Sequence, residues 1–346
     1  MIELTPHTAD DVIVIGTSTG GLAALQSVVA GLPVGLPAAV LIVMHVGQHD
    51  SLLPSLLARV AKMPLRHARH NEPLMAGRIL IAPPDHHLLI DRTGGKGRAV
   101  LTRTAKENHV RPAIDALFRS AAAAYGARAI GVVMTGRLDD GTMGLVAIKA
   151  CGGRAVVQLP EDAVAPDMPA SALRHVDVDK VVRLEEIPAA LTQMLEHGGA
   201  DTADTAATVP EWVQVENRFA AKGGDMDSLA RIATPSTFTC PECHGTLWEV
   251  NSHGTRRYRC HTGHGLTERT LASMQEQLVE DALGSALRAL HEQEKLLRQM
   301  AENAVQNGLT QAALDYVQQA ADAQRSGEVL RRLMTAGQHA GMAEPA

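Results

Sequence analysis

The chain has 346 residues, 45% of them apolar and 20% charged, with a formal net charge of −6. That length suggests two or three domains with enough apolar material for a real core. The acidic balance and an aromatic content of only 2% argue against nucleic-acid binding, which needs basic faces and stacking platforms.

No apolar run reaches the roughly 18 residues that a membrane-spanning helix needs. The polar stretch Met1 to Asp11 has no signal-peptide pattern. Val12 to Ile15 is an apolar run that leads into Gly16-Thr17-Ser18-Thr19-Gly20-Gly21, and Leu22, Leu25, Val28 and Val29 then share a helical face. Ala38 to Met44 reads as a strand buried on both faces, with His45 directly after it. Asp50 to Val60 has helical spacing, and Lys62 to His70 is a basic segment expected on the surface. Arg78 to Ala82, Leu88 to Asp91 and Ala99 to Thr102 are short strands around turns. Pro112 suits the first turn of a helix running to about Tyr125. Ala129 to Met134 is another buried strand, followed by Thr135 to Gly141 and a helix to Cys151. Arg154 to Gln158, a short helix at Ser171 and Ala172, the strand Val178 to Arg183 and the helix Leu184 to His197 complete the alternation. Such alternation predicts an α/β fold, a doubly wound, mostly parallel sheet covered on both faces. Gly198 to Thr205 is small and polar like a linker, and Pro210 to Phe219 has the pattern of a short helix. From Thr267 a Leu/Ala stripe predicts a helix to Met300; Asn307-Gly308 breaks it, and a second helix follows over Thr310 to Leu333.

The glycine turn has three readings: a phosphate cradle, an elbow presenting Ser18 as a nucleophile, or an ordinary strand-to-helix turn. Ser18 as a helix cap, and His45 as a loop histidine bonded to backbone, are the plain alternatives. Residues just past the ends of parallel strands collect on one sheet edge. Ser18, His45 and either Asp139 or Asp140 stand in such positions. Acyl transfer needs this set: a base to take the serine proton, a carboxylate to orient that base, and N–H donors for the oxyanion. The Thr19 N–H, at a helix start beside Ser18, is a candidate donor.

Residues 12 to about 195 resemble the catalytic domain of the chemoreceptor protein-glutamate methylesterase family. The motifs that carry the resemblance are Gly16 to Gly21, His45, Ile81 to His87, Arg111 to Phe118, Thr135 to Gly141 and Met168-Pro169. The resemblance implies a Ser18, His45 and Asp140 triad, with Thr19, Arg137 and Met168 at the oxyanion and substrate side. It implies hydrolysis of glutamyl methyl esters on methyl-accepting chemoreceptors, with glutamine deamidation as a second activity and no catalytic cofactor. The receptor's cytoplasmic region, the receptor methyltransferase and the sensor kinase are the partners it suggests. Regulation through something other than a receiver domain is expected, because the first strand begins at Val12. Arg137-Leu138 departs from the family's usual Met-Gly, and Leu138 stands where a glycine's backbone freedom is usual. Two other functions fit the same fold: a regulatory binding module in a signalling array, and an esterase or amidase acting on a protein other than a receptor.

Cys240-Pro241-Glu242-Cys243, a gap of sixteen residues, then Cys260 and His264 give CxxC and CxxxH ligand pairs. Thiolate and imidazole at that spacing suit a closed tetrahedral zinc site of structural type. Three of the four cysteines in one such cluster point to a reducing, cytoplasmic setting. The segment resembles the metal-binding tail of stand-alone members of the same family. The expected organisation is a catalytic domain over 1–197, a linker over 198–235, a small zinc-ribbon-like module over 236–266, an α-helical hairpin over 267–338 and a flexible tail over 339–346. The hairpin is also a candidate seam for a homodimer.

Overall fold

The computed structural model describes residues 7–47, 49–198, 208–250 and 255–340. The linker stretch 199–205 and the tail residues 341–346 lie outside the described residues. The elements in order are β1 (Asp11–Thr17), α1 (Gly21–Gly31), β2 (Ala38–Met44), α2 (Leu53–Leu57), β3 (Leu65–His67), β4 (Glu72–Pro73), β5 (Ile79–Ile81), β6 (His87–Asp91), β7 (Arg98–Thr102) and α3 (Ile114–Tyr125). They continue with β8 (Ala129–Val133), α4 (Thr142–Ala150), β9 (Arg154–Gln158), α5 (Asp167–His175), β10 (Lys180–Val182), α6 (Ile187–Gly198), α7 (Glu211–Lys222) and α8 (Met226–Ile232). The last are β11 (Ala233–Thr239), β12 (Thr246–Val250), β13 (Arg257–Cys260), β14 (Gly265–Thr267), α9 (Glu268–Gln306) and α10 (Thr310–Ala340).

Seven strands form a sheet in the order β10-β9-β8-β1-β2-β5-β3, and every neighbouring pair in it is parallel. Alternate residues of each strand enter two separate cores, because side chains alternate across a pleated strand. Val12, Val14, Leu41 and Val133 pack with α3 and α4. Ile13, Ile15, Ile42 and Val132 pack on the other face with α1, α2 and α6. The chain leaves β1 toward β2 on one side and reaches β8 on the other, so the β1/β8 boundary is the switch point where such sheets bind ligands. A small antiparallel sheet, β4-β7-β6, flanks the main one.

Three expectations are corrected. The helix expected over Asp50 to Val60 is only Leu53–Leu57. Within the basic segment, Leu65–His67 forms an edge strand against β5. Pro112 precedes its helix, which begins at Ile114 because the first two helical N–H groups are taken by Asp140 (below).

The span expected as a linker carries α7 and α8. Val213 on α7 joins the main core, and Thr102 and Thr104 donate hydroxyl hydrogen bonds to the Ala220 carbonyl. The four-stranded antiparallel sheet β11-β12-β13-β14 follows. The described residues up to Leu271 form one compact unit. The second unit, from Ala272, is an antiparallel helical hairpin. Arg298 donates to Gln324 and Arg331 meets His291, pairings that run in opposite directions along α9 and α10. Its seam is narrow and built from Leu297, Ala301, Ala304, Ala313, Ala320 and Ala323.

Candidate active site and candidate metal centre

Three neighbouring strands, β8, β1 and β2, each deliver one member of a polar chain. Ser18 follows β1, His45 follows β2, and Thr17 and Met44 are partners in register, so the two side chains emerge side by side. Asp140 comes from the loop after β8. His45 Nδ1 lies 3.1 Å from Ser18 Oγ, and His45 Nε2 lies 2.8 Å from Asp140 Oδ2. An ionised carboxylate only accepts, so the imidazole proton belongs on Nε2 and Nδ1 is left to accept from the serine hydroxyl. Ser18 and His45 are partly buried, whereas Asp140 is buried.

The turn presenting Ser18 needs its glycines. Gly20 has φ +79° at the cap of α1, a conformation that L side chains rarely adopt. Across the edge, a Cβ on Gly136 would lie 2.0 Å from Met168 Sδ and 3.0 Å from Ser18 Cβ. Gly136 therefore lets the β8 loop approach the serine. The Ser18 N–H is itself tied to the Thr135 carbonyl at 2.9 Å.

Asp140 is held by five donors. Its Oδ2 accepts from His45 and from the Ile114 N–H at 2.7 Å. Its Oδ1 accepts from the Asn108 amide at 2.8 Å and from the Asp115 and Gly141 N–H groups at 3.1 Å. Burial works to raise this carboxyl, but the His45 hydrogen bond and charge, then the Ile114 N–H and the Asn108 amide, hold it below the ordinary carboxylate range. Asp140 thus caps α3 from outside the helix, at its positive end. Asp115 returns the arrangement: its Oδ1 accepts the N–H groups of Gly141 and Gly144 at the start of α4. Burial, followed by the charge of Asp140, pushes the Asp115 carboxyl up to about 7. Asp139, the other acid of this loop, accepts from the Thr267 hydroxyl and faces away from His45.

The remaining expected residues divide. Thr19 and Arg137 are exposed at the edge. Met168 is fully buried, with its sulfur packed under Gly136 beside Ser18. Leu138 has φ +63°, a strained conformation for a branched side chain. It is held on both sides, by Asp167 Oδ2 at its N–H and by Arg269 at its carbonyl. Nothing in the sequence singled out Asn108, and Asp115 lies within the Arg111 to Phe118 motif, which gave it no role of its own. The signal for Asp115 was an acid in a helix's first turn; nothing local marks Asn108.

Cys240, Cys243, Cys260 and His264 converge, with one ligand atom from each lying within 4.8 Å of all the others. Zn–S bonds of about 2.3 Å in a tetrahedron put ligand atoms about 3.8 Å apart. The observed separations are 3.6 Å for Cys243–Cys260, 3.8 Å for Cys240–His264 and 3.5 Å for Cys260–His264. Contact with Cys240, then with His264 and Thr262, holds the Cys260 thiol far below its usual range. The Thr262 hydroxyl, missed from sequence, donates to Cys243 Sγ at 3.0 Å. The donor set and its spacing fit a tetrahedral divalent cation of zinc type.

The fold and the site define a class: an α/β protein with a serine–histidine–aspartate chain at the switch point of a parallel sheet. A family model for CheB methylesterase matches residues 13–191, and the chain belongs to that family. A protein-glutamate methylesterase/protein-glutamine glutaminase of Anaeromyxobacter dehalogenans is 39% identical over 185 residues, covering 53% of each chain. A Leptospira interrogans protein is 36% identical over 178 residues, covering 51% of this chain and 91% of its own. The crystal structure of the Thermotoga maritima CheB methylesterase catalytic domain aligns with a TM-score of 0.52 and 32% identity, over 53% of this chain and 98% of that one. The chain spans about half the length of the first curated relatives it matches.

Proposed function

We propose that this chain is a serine hydrolase that removes methyl groups from glutamyl methyl esters on chemoreceptors, with deamidation of receptor glutamines as a second activity. The observation that carries the reading is the continuous Ser18–His45–Asp140 chain of hydrogen bonds on this family's fold. Ser18 Oγ attacks the ester carbonyl while His45 Nδ1 takes its proton. Asp140 stabilises the imidazolium that forms. The Thr19 N–H and the backbone at Arg137 receive the oxyanion, and the start of α1 adds its positive end. His45 returns the proton to the departing methoxide, which leaves as methanol. Water, activated by the same imidazole, then releases glutamate and free Ser18.

The C-terminal cysteine cluster would hold a structural zinc ion, through Cys240, Cys243, Cys260 and His264. Such an ion braces the module's fold and supplies no step of the chemistry. No described helix is long and apolar enough to cross a membrane; the cysteine set supports a cytoplasmic site of action. Leucines and valines exposed along the hairpin, among them Leu296, Val305, Leu314 and Leu333, support a homodimer through α9 and α10.

The test is methanol release from methylated receptor. Wild type is expected to exceed Ser18→Ala by several orders of magnitude. Equal, slow release from both would sink the hydrolase reading and favour a binding module.

A further inference from the structure

The carboxylate that orients His45 is itself oriented by the C-terminal module. Asn108 is 6% exposed, and all of its amide is used. Its Nδ2 donates to Asp140 Oδ1 at 2.8 Å and to Asp115 Oδ2 at 3.0 Å. Its Oδ1 accepts the backbone N–H of Thr267, on β14, at 3.2 Å. The flipped amide would face an oxygen toward two carboxylates and a nitrogen toward an N–H donor, so only one orientation satisfies all three partners.

The backbone that carries Asn108 is held from the same side. Asn108 and His109 are consecutive non-glycine residues at φ +52° and +66°. Such a pair persists only where its surroundings over-determine it. Here β14 supplies the grip: the Asn108 N–H donates to the Gly265 carbonyl at 2.8 Å, and the Gly265 N–H donates to the Lys106 carbonyl at 3.3 Å. The preceding residue, Glu107, is fixed in a dry ionic cluster by Arg119 of α3 at 2.7 Å and by Arg259 of β13 at 3.1 Å. The Asn108 loop is thus clamped between the catalytic sheet and the module.

We propose that Asn108 is a positioning residue for Asp140, and that β14, through the Thr267 N–H and the Gly265 carbonyl, sets its orientation. The module is then a working part of the catalytic centre. One amide hydrogen goes to each carboxylate, keeping Asp140 and Asp115 from closing on each other and leaving Asp140 Oδ2 free to face His45. The inference rests on the triad reading above.

The test uses the full-length chain and methanol release from methylated receptor. The kcat is normalised to Ser18 sites titrated by a fluorophosphonate, so that a loss of folded protein does not count. Asn108→Ala and Asn108→Gly both remove the amide, and glycine adopts the left-handed backbone without strain. Both are expected to lower kcat per site by about 10- to 100-fold through misplacement of Asp140, with KM unchanged. A kcat per site for Asn108→Gly within twofold of wild type overturns the proposal. Thr267→Pro removes the N–H donor as well as the hydroxyl, and Thr267→Ala removes the hydroxyl alone; measured against Thr267→Ala, the proline is expected to lower kcat further in the wild-type background and to add no further loss in Asn108→Gly. Losses that multiply would overturn the link through β14. Wild-type release no faster than Ser18→Ala would overturn the triad, and the positioning role with it.

Discussion

The two main sheets of the first unit are held together in different ways. The seven-stranded sheet has apolar cores on both faces, and Val12, Ile13, Val14 and Ile15 are fully buried in sequence. The β11-β14 sheet has a small apolar core, centred on Phe219, Leu229 and Ile232. Its other supports are a cysteine–histidine cluster and an ionic seam. In that seam Glu107 and Glu216 meet Arg119, Arg257 and Arg259, all at most 2% exposed. Apolar contacts are non-directional and tolerate repacking. Buried charges do not: each must find its partner, and loss of one strands the others. The edge that carries Ser18, His45 and Asp140 therefore stands on a robust sheet on one side and an exacting seam on the other.

Metal removal is expected to affect the two sheets most unequally. Structural zinc supplies about 10–16 kcal/mol of folding free energy in small modules. A chelator is expected to remove one equivalent of metal and to abolish amide-exchange protection over β11–β14, while β1, β2 and β8 stay protected. Absence of metal, or equal loss of protection in both sheets, would contradict this.

Single substitutions separate the seam from the apolar core. Glu216→Leu leaves three guanidinium groups facing one carboxylate and is expected to cost about 3–5 kcal/mol. Leu41→Ala in the main core should cost about 2–5 kcal/mol. Denaturant midpoints give both values; a Glu216→Leu effect below about 1 kcal/mol would show that the seam is not needed.

The smallest effect separates the two sheets by pH. Burial works to raise Glu107 and Glu216, but the surrounding arginines hold both below the ordinary carboxylate range. A depressed folded pKa gives stability that is fully present above the unfolded value, about 4.3, and lost as pH falls through the folded one. The Tm gap between wild type and Glu216→Leu should therefore stay constant from neutral pH down to about 4.3 and narrow below it. The gap for Leu41→Ala should not change with pH. A Glu216→Leu gap that widens on acidification would reverse the sign and refute the assignment.

The site was more legible than its supports. Ser18, His45 and the pair Asp139 and Asp140 were readable because parallel strands project their C-terminal residues onto one edge, and apolar runs mark those strands; the choice of Asp140 over Asp139 came from the family resemblance alone. The cysteine spacing was readable because ligand pairs sit close in sequence. The seam was not: Glu107, Arg119, Glu216, Arg257 and Arg259 lie far apart, and charged residues default to the surface until tertiary pairing buries them. The role of Asp115 was hidden because it caps a helix other than its own. β3 was missed because Arg66 and His67 obscure a three-residue edge strand. The burial of Met168 under Gly136 was hidden too, because that contact joins loops about 30 residues apart.

The proposed function stands on Ser18 acting as a nucleophile made reactive by His45 and Asp140. Its most direct test is covalent capture of the native chain by a fluorophosphonate, with the adduct located by mass spectrometry. One adduct is expected, on Ser18, formed at least about a hundredfold more slowly in His45→Ala. Methanol release with no adduct on Ser18, or labelling of Ser18 that is indifferent to His45, would contradict it.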